Sequence, residues 1–220
     1  MKIILMKNVF LLLLLVLSGA AFGQNPYVFV FLNKKADAEK LSDEATKKIM
    51  EGHMGNMDKL AKEGKLIAAG PFEGGGGIFI MKTSSVDEAE EWISTDPGIQ
   101  AKRWNVEVLP FTPRQGQVCG AKEPYEMTFY SFVRFNAVVS KFNAATYPTI
   151  IKHHNDYLKE IAKTGNVILE GIFGDHDGGI MIMKGEVSNE LLESDPGVRE
   201  GLIDIVTKKL YIAKGSFCEK

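Results

Sequence analysis

Apolar residues recur along the chain in two rhythms. Tyr27–Leu32 is aromatic and β-branched, which predicts a strand. Over Asp43–Glu63 the apolar positions Ile49, Met57, Leu60 and Ala61 fall at helical spacing, and Gly64 supplies the residue that commonly ends a helix. Leu66–Ala69 and Ile78–Met81 are short apolar strands joined by the Gly74–Gly77 run, a hairpin loop. Val86–Ile93 reads as a second helix with Ser84 or Ser85 as its N-cap, and Val106–Leu109 as the last strand of the series. The same order returns later. Thr128–Phe135, Val167–Phe173, Gly179–Met183 and Leu210–Ala213 read as strands, Ala144–Thr164 and Ser188–Glu193 as helices.

The two series align as sequences. Ile49–Phe72 laid on Ile150–Phe173 gives 8 identities in 24 positions, and Ile78–Lys82 then matches Ile180–Lys184. Asp96-Pro97-Gly98 matches Asp195-Pro196-Gly197. The segment 112–124, rich in Pro, Gly and polar residues, reads as a linker between a first repeat, 24–111, and a second, 125–220. The β-α-β-β-α-β order is the α+β, ferredoxin-like arrangement, whose sheet carries helices on one face only. Two tandem copies can cover each other's bare faces. The expectation is two four-stranded sheets packed as an intramolecular pseudo-dimer, because burying both faces is strongly favoured. Independent domains are the alternative. Tyr27, Phe29, Phe31, Phe129, Phe132 and Phe135 lie in the first strands; most should be core, and a few could line a cavity between the sheets that suits an apolar or aromatic ligand.

Residues 1–23 fit a different pattern. Lys2 and Lys7 precede the aliphatic run Val9–Leu17, and Ala21-Phe22-Gly23 offers small residues before Gln24, as in a cleaved signal peptide. The run is shorter than the roughly 20 residues a membrane-spanning helix needs. Export, periplasmic or secreted, with no membrane association after cleavage, is the expectation; an uncleaved anchor is the alternative. Without Lys2 and Lys7 the charge is 24 basic against 28 acidic residues, −4, which argues against nucleic acid as a partner. The two cysteines, Cys119 and Cys218, each follow the last strand of a repeat, and an oxidising compartment permits a disulfide between them. Two free thiols are the other reading.

Chemistry concentrates on a few side chains. Ile49, His53, Met57 and Leu60 share one helical stripe, as do Ile150, His154, Leu158 and Ile161, so each histidine faces the sheet. A buried imidazole needs a hydrogen-bond partner. His153 points about 100° away from His154 around the helix. Asp96 and Asp195, each followed by Pro, read as N-caps with Pro in the first helical position. Asp175-His176-Asp177 offers three metal-ligand types in a row, but adjacent residues rarely converge on one ion, and a turn is the plainer reading. Gly74–Gly77 joins strand to strand and lacks the helix N-terminus of a phosphate loop. No Ser-His-Asp order, nucleotide fingerprint or zinc spacing is present, so neither cofactor nor metal is expected.

The stretch from His53 through Gly70-Pro71-Phe72 to Asp96-Pro97 resembles the YCII-related family. That family has a ferredoxin-like fold, forms dimeric α+β barrels, and is similar to muconolactone isomerase and chloromuconolactone dehalogenases. The resemblance covers about Tyr27 to Pro110 and extends more weakly over Met127 to Ala213, where Ile172 stands in place of Pro71. It implies an active-site pair of a His on the first helix and an Asp before the last strand. These are His53 with Asp96 and His154 with Asp195. Such a pair can remove and return a proton at an acidic C–H, as an isomerase or an HX-eliminating lyase requires. His53 would be the acid/base and Asp96 its orienting partner. A non-catalytic module binding a small molecule in the cell envelope, or a structural protein without a pocket, stays open beside the enzyme, as does association of two chains into a homodimer.

Overall fold

The computed structural model describes residues 27–174 and 178–218. The segment 1–23 and Asp175-His176-Asp177 lie outside the described residues. Among those described, no helix is long and apolar enough to cross a membrane.

In chain order the first half contains β1 (Tyr27–Lys34), α1 (Asp43–Lys62), β2 (Leu66–Pro71), β3 (Gly77–Met81), α2 (Val86–Ile93), α3 (Pro97–Gln100) and β4 (Trp104–Gln115). The second contains β5 (Met127–Ala137), a 3-10 turn (Val139–Lys141), α4 (Tyr147–Ala162), β6 (Val167–Phe173), β7 (Gly179–Met183), α5 (Asn189–Glu193), α6 (Pro196–Arg199) and β8 (Ile203–Ala213). Ser42 caps α1, with its hydroxyl accepting from Ala45 N–H, and Ser85 caps α2.

The eight strands form one sheet in the order β2-β3-β1-β4-β6-β7-β5-β8, antiparallel throughout. This corrects the expectation of two separate sheets. The halves join through β4 and β6, where Phe111 pairs with Phe173 and Thr112 with Ile172. At the far side Phe72 bridges Leu210, and Glu73 N–H donates to Lys209 O at 2.9 Å. The sheet therefore closes on itself as a barrel. Gly70 and Gly171 sit at the two seams, where a Cβ would come within 2.4 Å of Tyr211 O or 2.5 Å of Thr112 O. Only glycine lets the strands approach this closely.

Both faces of the central strands are buried, so their sequences are continuously apolar rather than alternating. Phe29 and Phe31 of β1 point into the barrel with Phe111, Phe132 and Phe173. Their rings interlock, Phe29 with Phe31 at 4.8 Å and Phe29 with Phe173 at 5.4 Å between centroids. Val28, Val30 and Leu32 face α1 and α2 with Leu60, Ala89 and Ile93. Val133 and Phe135 face α4 with Leu158 and Ile161. The interior is thus packed with rings, as expected for most of the first-strand aromatics. Phe129, expected near the core, is outside, 4.7 Å from the Tyr211 ring.

Two boundaries shift. β4 continues past Leu109 through Pro110 and Pro113 to Gln115, so the first part of the expected linker is strand. The register breaks between Pro113 and Gln115, a bulge that accommodates a residue with no N–H to donate. β8 begins at Ile203, earlier than its apolar end suggested. The remainder of the connection is held by Val118, which bridges Phe217, and by the Cys119–Cys218 disulfide, with Cα atoms 5.4 Å apart.

Candidate active site

Each histidine of the apolar stripes is buried and meets the aspartate that begins the short helix before the last strand. His53 Nδ1 lies 2.8 Å from Asp96 Oδ2, and His154 Nδ1 lies 2.6 Å from Asp195 Oδ2. The cap and the pair turn out to be one arrangement. Asp96 Oδ1 accepts from Gly98 and Ile99 N–H at 2.8 and 3.2 Å, and Asp195 Oδ1 accepts from Gly197 N–H at 2.7 Å. One oxygen anchors the carboxylate to the backbone and the other aims at the imidazole. Asp96 is 0 % exposed and Asp195 1 %, so neither can swing out to water. An ionised carboxylate only accepts, so Nδ1 is the ring nitrogen that donates to it.

The space beside the two imidazoles differs. His53 packs against Phe79 and Trp104, at 5.8 and 4.9 Å between ring centroids. The Trp104 indole reaches back until a Cβ at Gly98 would be 2.5 Å from it. In the second half Ile203 stands where Trp104 does, eight residues after the aspartate. His154 lines a cavity of about 130 Å³ with Ile203, Phe135 and Tyr147. His154 also meets Phe135 edge to face at 5.3 Å.

A polar wall closes that cavity. Arg114 Nε donates to both carboxylate oxygens of Glu170, at 3.1 and 3.2 Å, Nη2 adds a third bond to Glu170, and Nη1 donates to Asn155 Oδ1 at 2.6 Å. Glu170 is buried on β6 and matched by the guanidinium, as a buried carboxylate requires. In the first half the corresponding places hold Met54, Ala69 and Ala213, and an apolar cleft of about 340 Å³ opens there, lined also by Met57, Tyr125 and Met127. Nearby, Tyr157 donates to Leu191 O at 2.7 Å, and burial raises its phenol above the ordinary value.

Sequence reasoning named both histidines and both aspartates, and the structure brings them together pairwise. It missed Arg114, Asn155 and Glu170. Arg114 lay in the presumed linker. Glu170 carried a signal: it is the one charged residue in the otherwise apolar Val167–Phe173. His153 is exposed, one position from the paired His154. Among the described residues no group of three metal-ligating side chains occurs.

The model of the YCII-related domain matches residues 27–112. Residues 27–112 are a YCII-related domain. This domain holds β1 to most of β4, including His53, Asp96 and the strand that crosses to the second half. No curated protein matches the chain. Among solved structures, a protein from Lactobacillus acidophilus NCFM, provisionally named a monooxygenase, aligns with a TM-score of 0.40 and 11% identity, covering 84% of this chain and 92% of its own. A protein provisionally named a chlorite dismutase aligns at 0.49 and 9%, covering 86% and 95%. One from Fusobacterium nucleatum subsp. nucleatum ATCC 25586, provisionally named a monooxygenase, aligns at 0.41 and 12%, covering 86% and 91%. The YCII-related domain thus supplies one His–Asp pair, and the other lies beyond its matched range.

Proposed function

We propose that this chain is an exported proton-transfer enzyme built from two tandem ferredoxin-like repeats that pack as an intramolecular pseudo-dimer. The observation that carries the catalytic reading is His154, 2.6 Å from a buried Asp195 and in the wall of a cavity. Nε2 removes a proton from a carbon next to a carbonyl, forming imidazolium and enolate. Return of the proton to a different carbon isomerises the substrate. Expulsion of a leaving group from the neighbouring carbon, with the imidazolium proton following it, eliminates HX. Asp195 holds the ring and offsets its charge in the intermediate. Neither route needs an oxidant or a reductant. The shared element order and the equivalent seams at Phe111–Phe173 and Leu210–Phe72 support the repeat reading. The Lys2 to Gly23 pattern and the Cys119–Cys218 pair support export.

The test is exchange of the α-hydrogen of small ketones and lactones in D₂O, followed by proton NMR. The wild type should accelerate exchange, His154→Gln should remove about 10²–10⁴-fold of it, and His53→Gln should keep most of it. Loss with His53→Gln alone would transfer the chemistry to the first half. No acceleration across the panel would leave the second reading, a binding protein, which the apolar cleft beside Met54 favours.

A further inference from the structure

The His154 cavity does not end at its own walls. A second cavity of about 210 Å³ lies against it, and the two share Ala137, Tyr147 and Leu202. The additional walls of this outer chamber are Val138, Val139 and Phe142, all apolar. Val139 is in the 3-10 turn after β5 and Val138 and Phe142 flank it, and the turn is pinned to the barrel by Val138 N–H donating to Leu202 O at 2.9 Å. Val139 is 81 % exposed and Phe142 55 % exposed, and the Phe142 ring lies 4.8 Å from Tyr147. Large apolar side chains standing in water around a concave mouth are what a site for an apolar group looks like.

The inner cavity sets the other end of the molecule. Among the described residues its one arginine or lysine, Arg114, is matched by Glu170 and tied to Asn155. An anionic head would have to break that pair, whereas a neutral carbonyl asks for no counter-charge.

We infer that the two cavities form one site for a neutral carbonyl compound with an apolar tail: the carbonyl end lies beside His154, and an alkyl or aryl chain fills the chamber between Val139, Phe142 and Tyr147. This rests on the proton-transfer reading of His154 for the chemistry of the head, and on the chamber alone for the tail. The chamber has space for roughly half a dozen water-sized groups at ~30 Å³ each, so the tail is short. Val139 and Phe142 set tail specificity without touching the reacting carbon.

Calorimetric titration of the 2-alkanones from 2-butanone to 2-nonanone, beside the carboxylates from butanoate to nonanoate, tests this. Ketone affinity should rise about two- to fourfold per methylene. Val139→Asp, at an exposed position that tolerates the change, and Phe142→Ala should flatten that rise; Met54→Lys, in the separate apolar cleft, should leave it intact. His154→Gln should weaken every ketone by a similar factor and keep the slope. A flat ketone series, a slope unchanged by both chamber variants, or a slope lost with Met54→Lys would overturn the inference. Carboxylates binding as tightly as ketones would overturn the neutral head. An intact slope with no effect of His154→Gln would retain the chamber and remove the proton-transfer reading instead.

Discussion

Trp104 packs 4.9 Å from the His53 ring, and Ile203, at the equivalent station of the second half, lines the cavity beside His154, so the side chain at this station shapes the space beside each imidazole. Exchanging them should exchange that property. Ile203→Trp should fill the His154 cavity and abolish ketone binding, costing about 1–3 kcal/mol of stability through overpacking. Trp104→Ile should open space at His53 at a cost of about 1–3 kcal/mol and give that half measurable binding. Titration of each variant, with urea unfolding alongside, reads both effects.

Asp195 joins its two roles through different oxygens, so they can be separated. Asn caps helices about as well as Asp, so Asp195→Asn should stay within about 1 kcal/mol of wild type while proton exchange falls about 10²-fold or more. Asp195→Ala should lose about 1–3 kcal/mol as well, because Gly197 N–H and the imidazole both lose their acceptor. Thermal unfolding against NMR exchange distinguishes the two variants.

The Arg114–Glu170 pair should show strong coupling. Arg114→Ala leaves Glu170 buried without a counter-charge and should cost about 2–4 kcal/mol. The double variant with Glu170→Ala should cost clearly less than the sum of the singles, since Ala213 and Ala69 fill the corresponding places in the first half. A double-mutant cycle by urea denaturation measures this; additive costs would contradict it.

At the barrel mouth Arg134 makes two bonds to Glu107, at 2.6 and 2.7 Å, and the hydrogen bond from this guanidinium lowers the Glu107 carboxyl below its ordinary value. The folded state therefore prefers ionised Glu107. The resulting stability is complete above the unfolded-state value, near ~4.3, and disappears as pH falls through the lower folded-state value. Unfolding midpoints at pH 7 and pH 3 should differ more for wild type than for Glu107→Gln.

The cross-link from Cys119 to Cys218 spans 99 residues. Reduction should lower stability by about 2–5 kcal/mol, read as a drop in Tm with dithiothreitol that a Cys119→Ser/Cys218→Ser protein does not show.

Most of the fold was legible because its signals are local. The Phe29–Phe31 alternation, the stripe through His53 and the Asp-Pro starts each act within a few residues. What escaped depended on contacts between distant residues. Pro110 and Pro113 suggest a loop, yet β4 runs through them because β6 waits on its far side. The polar Thr207–Lys209 concealed the body of β8, which β5 pairs along its full length. The four candidate residues could be named, the histidines from their stripe and the aspartates as caps, and their pairing came from the family resemblance. The cavity beside His154 could not be named, because its wall joins Arg114, Phe135 and Ile203, residues distant in sequence that look like ordinary core or linker in isolation.

Because the strand bonds around the barrel alternate between the halves at two seams, neither half is a finished object. Cutting the chain between β4 and β5 would strip β2 and β4, or β6 and β8, of one row of backbone partners and bare the phenylalanines behind them. Fragments made apart should therefore stick to themselves, whereas fragments made together should find one another and rebuild both seams, with Gly70 and Gly171 marking where the matching edges meet.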